Sequence, residues 1–322
     1  MVSVIFDGNN LAYRSNSVME LSTKDGRRTS AIFGVFNSIP HSVKTVEEEL
    51  DVEVGEIVVV WDCGRNVRRT TLYPEYKGGR RQDQTEEDRI WYEEFIQQTN
   101  IIHDNLPLLG VKSIKQKGQE ADDLIYTWIN RCRDLRQDDE ENRFIIVSTD
   151  EDFLQLISED TCVYSPIKKI MYTYDNFYDL FGIKPENFLT YKVVRGDDSD
   201  NISGIRGIGD ATGKKLVNTF GNMDSIMRNR NHPDLVKSKV LSRLFTPDGL
   251  RTLDRNNKLI NLTDYVDINE TKDYIDDSIR VQPYVDDSSA RKFLMDYQLS
   301  SILMKYKEWI RVFKSVNSIY FE

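Results

Sequence analysis

Three strand-sized apolar runs, each ending in an acid, constrain this chain more than any other feature. Val2–Phe6 leads into Asp7-Gly-Asn-Asn, Ile57–Trp61 into Asp62-Cys-Gly, and Phe144–Val147 into Ser148-Thr-Asp150-Glu-Asp152. Such runs are far shorter than the roughly 18 apolar residues of a membrane helix, and they suit strands buried on both faces. The stretches between them read as helices: about Ala31–Leu50, with a break expected at Pro40, then Glu86–Asn105 and Glu120–Leu135. Strands alternating with helices predict an α/β fold, a parallel central sheet with helices on both faces. Ligands of such sheets bind beyond the carboxyl ends of the strands, where all three acids fall.

A single Asp after a strand is ordinary turn chemistry, because its side chain bonds the nearby backbone. Three converging on one edge need another reason. A fourth group, Glu120-Ala-Asp122-Asp123, opens a predicted helix, where acids also serve as caps. Glu120 and Asp123 are three apart and share a helix face. A fifth group is Asp197-Asp198-Ser199-Asp200, followed by Asn201. Unpaired carboxylates gathered in one cleft repel one another strongly. Divalent cations relieve that repulsion, and all-oxygen donors select Mg²⁺ or Mn²⁺ over zinc. Two such ions about 4 Å apart serve phosphodiester hydrolysis.

The whole-chain charge of −10 argues at first against a nucleic-acid partner, but binding follows local fields. Arg65, Arg68, Arg69, Lys77, Arg80 and Arg81 form a basic segment broken only by Glu75, whereas acids gather at Asp138–Glu141, Asp197–Asp200 and Asp264–Asp277. The three cysteines, Cys63, Cys132 and Cys162, are far apart and form no C-x-x-C pair. They suit a reducing cytosol and argue against a disulfide framework or structural zinc site. The N-terminus has no basic, signal-like segment, so secretion is not expected. His41, His103 and His232 lie away from every acidic motif, which disfavours histidine-based catalysis.

From Gly204 the chain reads Gly-Ile-Arg-Gly-Ile-Gly-Asp-Ala-Thr-Gly-Lys-Lys-Leu. It is not a P-loop: Ile208 stands where the first Gly is required, and Lys215 follows Lys214 in place of Ser or Thr. It is not a dinucleotide fingerprint either, because Thr212 replaces the third Gly. A helix–hairpin–helix fits better, with a glycine turn presenting backbone N–H groups to a phosphate. Arg206, Lys214 and Lys215 add charge without reading bases. A plain tight turn between helices is the simpler alternative. Beyond Asn218 the pattern is mostly helical, with a polar, loop-like stretch near Thr263–Asp277. Phe293, Leu294, Leu299, Leu303 and Trp309 are candidates for core or interdomain packing.

Taken together, Phe6-Asp7-Gly-Asn-Asn-Leu-Ala-Tyr-Arg14, Trp61-Asp62-Cys-Gly, Pro74-Glu-Tyr76-Lys77-Gly-Gly-Arg80, Glu120-Ala-Asp122-Asp123, Ser148-Thr-Asp150-Glu-Asp152 and Gly196-Asp197-Asp-Ser-Asp200-Asn201 resemble the 5′-nuclease (flap endonuclease) superfamily. The likeness is greatest to its stand-alone bacteriophage members, the phage 5′-exonucleases and phage-type ribonuclease H, and covers about residues 1–260. It implies a PIN-like catalytic core over 1–180, with a helical arch at about 73–105. A helical DNA-binding region would follow over 181–322, with an H3TH-type helix–hairpin–helix at about 196–220. The resemblance also implies two Mg²⁺ ions, with Mn²⁺ able to substitute. Asp7, Asp62, Glu120 and Asp122 would serve the first, with Asp123 in the same shell. Asp150, Asp152, Asp197 and Asp200 would serve the second. Lys77 and Arg80 would contact the scissile phosphate, Tyr76 would stack a base near the cut, and Arg14 would contact a phosphate. Arg206, Gly207, Gly209, Lys214 and Lys215 would grip the duplex, with K⁺ at the hairpin.

The activity so implied is 5′→3′ exonuclease and flap endonuclease, leaving 5′-phosphate and 3′-hydroxyl ends, with ribonuclease H activity. Its substrates would be branched, flapped or nicked DNA and RNA/DNA hybrids, with removal of primers and flaps during replication. A single-strand-binding protein or replicative polymerase would be the protein partner of a cytoplasmic monomer, in the host cytoplasm for a phage protein. Two departures stand out: Glu151 replaces the usual Gly of Asp-Gly-Asp, and Gly79 sits where a polar residue is usual. Two other readings are a non-catalytic junction-binding protein that keeps the fold and a related metal nuclease acting on RNA. The intact acidic set opposes the first, since it repels phosphates, and the complete glycine hairpin opposes the second.

Overall fold

The computed structural model describes residues 1–64, 66–78, 85–136, 142–263 and 269–318. Its strands are β1 (Val2–Asp7), β2 (Glu56–Trp61), β3 (Lys112–Lys115), β4 (Arg143–Val147), β5 (Thr161–Ser165) and β6 (Ile170–Tyr172), with a small separate pair, β7 (Gly196–Asp197) and β8 (Ile202–Ser203). The main sheet runs β3-β2-β1-β4-β5-β6, parallel throughout except for the antiparallel β5–β6 hairpin. The chain adds β2 and β3 on one side of β1 and then crosses to β4 on the other. A crevice therefore opens at the carboxyl ends of β1 and β4. In that register Phe6 lies opposite both Val59 and Val147, so Asp7, Asp62 and Ser148–Asp150 leave the sheet at one edge.

Alternation along the strands builds two cores. Val4, Phe6, Val59, Trp61, Ile145 and Val147 belong to one; Ile5, Val58, Val60, Phe144 and Ile146 belong to the other. The helices are α1 (Gly8–Val18), α2 (Ser30–Leu50), α3 (Val67–Leu72), α4 (Glu86–Asn105), α5 (Ala121–Leu135), α6 (Phe177–Phe181), α7 (Phe188–Arg195), α8 (Asp210–Phe220), α9 (Met223–Arg228), α10 (Pro233–Lys237), α11 (Pro247–Ile260), α12 (Asn269–Arg280), α13 (Asp287–Asp296), α14 (Ser300–Met304) and α15 (Tyr306–Ser318). Helices α1, α2 and α4 cover the first face, and α5 covers the second. Each buried Val, Ile or Phe contributes about 1.5–3 kcal/mol. Gly8 is required at the crossover into α1, because a Cβ there would stand 2.7 Å from the Trp61 ring.

Three expectations change. Pro40 does not break α2, which runs on to Leu50. Proline has no N–H for the carbonyl of Phe36, and the indole Nε1 of Trp309 donates to that carbonyl instead at 2.7 Å. The stretch near Thr263–Asp277 is not all loop, since α12 begins at Asn269, and its Ile275 is buried in the second core. The region after residue 180 is not one unit. Val193, Val194, Ile208, Leu216, Ile226, Leu235, Leu244 and Leu253 of α7–α11 and their loops form their own core. The chain then returns to the sheet: Arg131 of α5 pairs with Asp276 at 2.7 Å, and Phe293, Leu294, Trp309 and Phe313 join the first core. No helix among the described residues is long and apolar enough to cross a membrane.

Candidate active site

Each acid at the sheet edge performs the local task its position dictates. Asp7 accepts from the N–H of Asn10 at 3.0 Å, capping α1, and from Ser148 Oγ at 3.1 Å. Asp62 accepts from the N–H of Ala121 at 2.7 Å, and its own N–H donates to Asn9 Oδ1 at 3.0 Å. Asp150 accepts from the N–H of Asp152 at 2.9 Å. Turn and cap chemistry is therefore true of all three, yet at Asp7 and Asp150 it does not offset burial. Burial, then the charges of Asp62 and Asp150, push Asp7 up to about 7. Asp150 is open to solvent on one side but set deep among protein atoms; desolvation and then Asp152 push it up to about 6. Burial and the charge of Asp150 also hold Asp122 well above the usual carboxylate range. Carboxylates from four separate segments thus share one field.

Two lysines stand among them. Lys77 Nζ is 3.0 Å from Glu120 Oε1 and 3.9 Å from Asp200 Oδ2. Lys192, buried on α7, pairs with Asp152 at 2.7 Å and with Asp197. Burial alone would raise Glu120, but Lys77 and Arg69 hold it below its ordinary value. Burial opposes and Lys192 prevails at Asp197, which falls to about 2. Among the described residues no three His, Cys, Asp or Glu side chains form a finished ligand set around one point. Lys77 also carries backbone strain: its φ of 54° lies in the left-handed region, at a cost of about 1–2 kcal/mol.

Two expected residues have other tasks. Asp123 is fully buried, and both its oxygens are taken: Oδ1 accepts from Arg69 Nη2 at 2.7 Å, and Oδ2 accepts from Arg69 Nη1 and Asn66 Nδ2, each at 2.8 Å. It is a salt-bridge partner of Arg69 inside the protein. Tyr76 is not a free stacking surface. Only 6 % exposed, it packs with Ile202, Leu259 and Ile260, and its hydroxyl donates to Glu120 Oε2 at 3.1 Å. Arg80 lies outside the described residues, as do Arg65, Gly79, Arg81 and the acids 138–141. Glu151 pairs with Lys168 at 2.8 Å.

Two important residues escaped the sequence reading. Arg69 was one cation among six in a basic run, yet it is buried and also donates to Glu120 at 2.5 Å and to the carbonyl of Leu259 at 3.0 Å. Nothing in such a run distinguishes a buried arginine from a solvated one. Lys192 did carry a signal, as the single charge inside Phe-Leu-Thr-Tyr-Lys-Val-Val.

The glycine hairpin lies beyond β8. Gly204 packs so tightly on the end of α7 that a Cβ would meet the carbonyl of Arg195 at 1.9 Å. Gly207 takes φ 91°, and Gly209 caps α8 with open space before it. Arg206 and Lys215 are exposed. Lys214 sits 4.5 Å over the Phe181 ring and 3.5 Å from Asp210. Residues 204–263 hold eleven Lys and Arg against five Asp, the reverse of the whole-chain balance. Arg14 is half-exposed on α1. His103 bonds Ser113 Oγ at 2.7 Å, and burial lowers its pKa.

Comparison with known proteins places this geometry. Residues 2–182 match the family of the 5′-3′ exonuclease N-terminal resolvase-like domain, and residues 183–282 match the 5′-3′ exonuclease C-terminal SAM fold. Among curated proteins, DNA polymerase I of Mycobacterium tuberculosis is 29 % identical over 297 residues, 90 % of this chain and 30 % of that protein. The thermostable DNA polymerase I of Thermus thermophilus is 31 % identical over 257 residues, 80 % of this chain and 28 % of that protein. The chain thus spans less than a third of these relatives' length. Among solved structures, the T5 D15 protein co-crystallised with metal ions superposes with a TM-score of 0.69 at 23 % identity, covering 87 % of this chain and 98 % of that one. Human GEN1 in complex with Holliday junction DNA gives 0.51 at 12 % identity, covering 92 % and 67 %. Both share the fold: a mostly parallel sheet flanked by helices, then a helical region. With family matches over both parts of the chain, this protein belongs to the 5′–3′ exonuclease family of nucleases.

Proposed function

We propose that the chain is a divalent-metal-dependent, structure-specific 5′-nuclease that degrades 5′→3′ and cuts flaps at single-strand/duplex junctions. The observation that carries this reading is the shared acidic field. Asp7, Asp122 and Asp150 all lie above their ordinary range, first because they are buried and then because neighbouring carboxylates press on each: Asp62 and Asp150 on Asp7, Asp150 and Asp7 on Asp122, Asp152 and Asp200 on Asp150. A donor set of hard oxygens under mutual repulsion fits hard dications, Mg²⁺ or Mn²⁺. Asp7, Asp62, Glu120 and Asp122 would hold one, and Asp150, Asp152, Asp197 and Asp200 the other; such ions lower the pKa of water and neutralise a transferring phosphoryl group. Asp123 is left out, as Arg69 occupies it.

The protein's own groups supply the rest. Lys77, beside the carboxylates, would place positive charge at the scissile phosphate, with Arg80 as its companion in the same segment. Lys192 pairs with both Asp152 and Asp197 and holds them in place. The N–H groups of the Gly207–Gly209 turn, with Arg206 and Lys215, would hold duplex phosphates without reading sequence. Arg14 would meet a phosphate nearer the cut. Residues 1–180 would thus carry most of the chemistry, joined by Lys192, Asp197 and Asp200, and α8–α11 the duplex grip, with α12–α15 bracing the sheet. K⁺ at the hairpin is supported by the family resemblance only. The T5 D15 structures that share this fold include a complex with DNA and metal ions; products bearing 5′-phosphate and 3′-hydroxyl ends are supported by the family resemblance only. Primer and flap removal in replication, with RNA/DNA hybrids among the substrates, is part of the same proposal and is supported by the family resemblance only.

The test is a 5′-labelled flap substrate incubated with the protein in Mg²⁺, Ca²⁺ or EDTA. Cleavage near the junction in Mg²⁺, with binding but no cleavage in Ca²⁺, is expected. Tight binding without cleavage in Mg²⁺ or Mn²⁺ would replace the nuclease with a junction-binding protein.

A further inference from the structure

The segment that carries Lys77 is fastened to the helical region by a pair of hydrogen bonds. Lys77 donates its N–H to the carbonyl of Asp200 at 3.0 Å, and the Asn201 side-chain amide donates to the carbonyl of Glu75 at 2.9 Å. Both Lys77 and Asn201 have left-handed backbones, with φ of 54° and 59°. Asparagine adopts that conformation readily and lysine does not. The Glu75 carbonyl also accepts from Gly78 at 2.9 Å, so the turn that aims Lys77 is closed on one side by its own backbone and on the other by Asn201. Asn201 lies in the turn between β7 and β8, and that hairpin runs directly into Gly204 and the glycine turn. The Lys77 turn and the duplex-gripping turn therefore share one short, rigid connector.

We propose that Asn201 is a positioning residue for Lys77: its amide holds the 73–78 turn so that Lys77 Nζ faces the carboxylate cleft, and it ties that placement to the hairpin that grips the duplex. The inference rests on the role proposed above for Lys77. No metal ligand need change for it to act.

The decisive variant is Asn201→Gly, which tolerates the left-handed backbone and removes the side-chain amide. Asn201→Asp also tolerates the backbone but turns an acceptor toward the Glu75 carbonyl, and should be worse. Single-turnover cleavage of a 5′ flap in Mg²⁺ should slow by about tenfold in Asn201→Gly, as expected for a misplaced catalytic group, with flap affinity in Ca²⁺ nearly unchanged. In a Lys77→Ala background the same change should have almost no further effect. Asn201→Gly cutting like the wild type, a loss that multiplies with Lys77→Ala, or a loss of affinity matching the loss of rate would each overturn the proposal. If Lys77→Ala itself cuts like the wild type, the role of Lys77 fails first and that of Asn201 with it.

Discussion

Arg69 and Asp123 meet in a two-pronged salt bridge inside the protein, with Nη2 2.7 Å from Oδ1 and Nη1 2.8 Å from Oδ2. The same guanidinium reaches Glu120 and the carbonyl of Leu259, joining α3, α5 and α11 at one point. Removing Arg69 leaves two buried carboxylates without their partner, which costs about 3–5 kcal/mol. Arg69→Met should lose that much in urea unfolding. Because Asp123 is spent on Arg69, Asp123→Asn should keep Mg²⁺-dependent cleavage that Asp122→Asn loses. Equal loss of cleavage in both variants would return Asp123 to the metal shell.

The acidic cleft makes a pH prediction whose sign is fixed by linkage. Asp7 titrates near 7 in the folded chain and near 3.8 when unfolded. Between those values the native state binds more protons, so stability falls as pH rises from about 4 to about 7 and then levels off. For Asp7, 6 % exposed, the loss is on the order of a few kcal/mol. With EDTA present, the melting temperature should drop across that window. Added Mg²⁺ should restore more of it at pH 8 than at pH 5, since protons compete for the same oxygens. A melting temperature that rises over pH 4–7 in EDTA would contradict the shared field.

Neutralising the second acid group separates binding from chemistry. Asp150→Asn with Asp152→Asn should abolish cleavage while leaving junction binding in Ca²⁺ largely intact. The single variant Asp150→Asn should also raise the melting temperature, because it removes a charge that lifts both Asp7 and Asp122. Normal cutting by the double variant would show that the second metal site lies elsewhere.

The sheet and its acidic edge were legible because both are written in local pattern. Val4 and Phe6 alternate with Ile5, and each acid follows its strand directly. The pairings were not legible, because they depend on distance in space. Asp123 and Tyr76 both carry motif spacing, yet Arg69 and a small apolar cluster from α11 and β8 turn them inward. Pro40 reads as a breaker for the same reason: its remedy, Trp309, lies 269 positions further along.

That remedy can be tested directly. Trp309→Phe keeps most of the buried ring but withdraws the donor from the Phe36 carbonyl, at a cost of about 1–3 kcal/mol for a buried acceptor left unpaired, plus a packing loss. Pro40→Ala restores a backbone N–H at the position one helical turn after Phe36, so the carbonyl regains its own partner. The penalty of Trp309→Phe should therefore be smaller in a Pro40→Ala background, with a coupling of about 1 kcal/mol in a double-mutant cycle read by urea unfolding. Strict additivity would mean that the indole stabilises α2 by packing against Phe36 and Phe313 rather than by completing its hydrogen bonds.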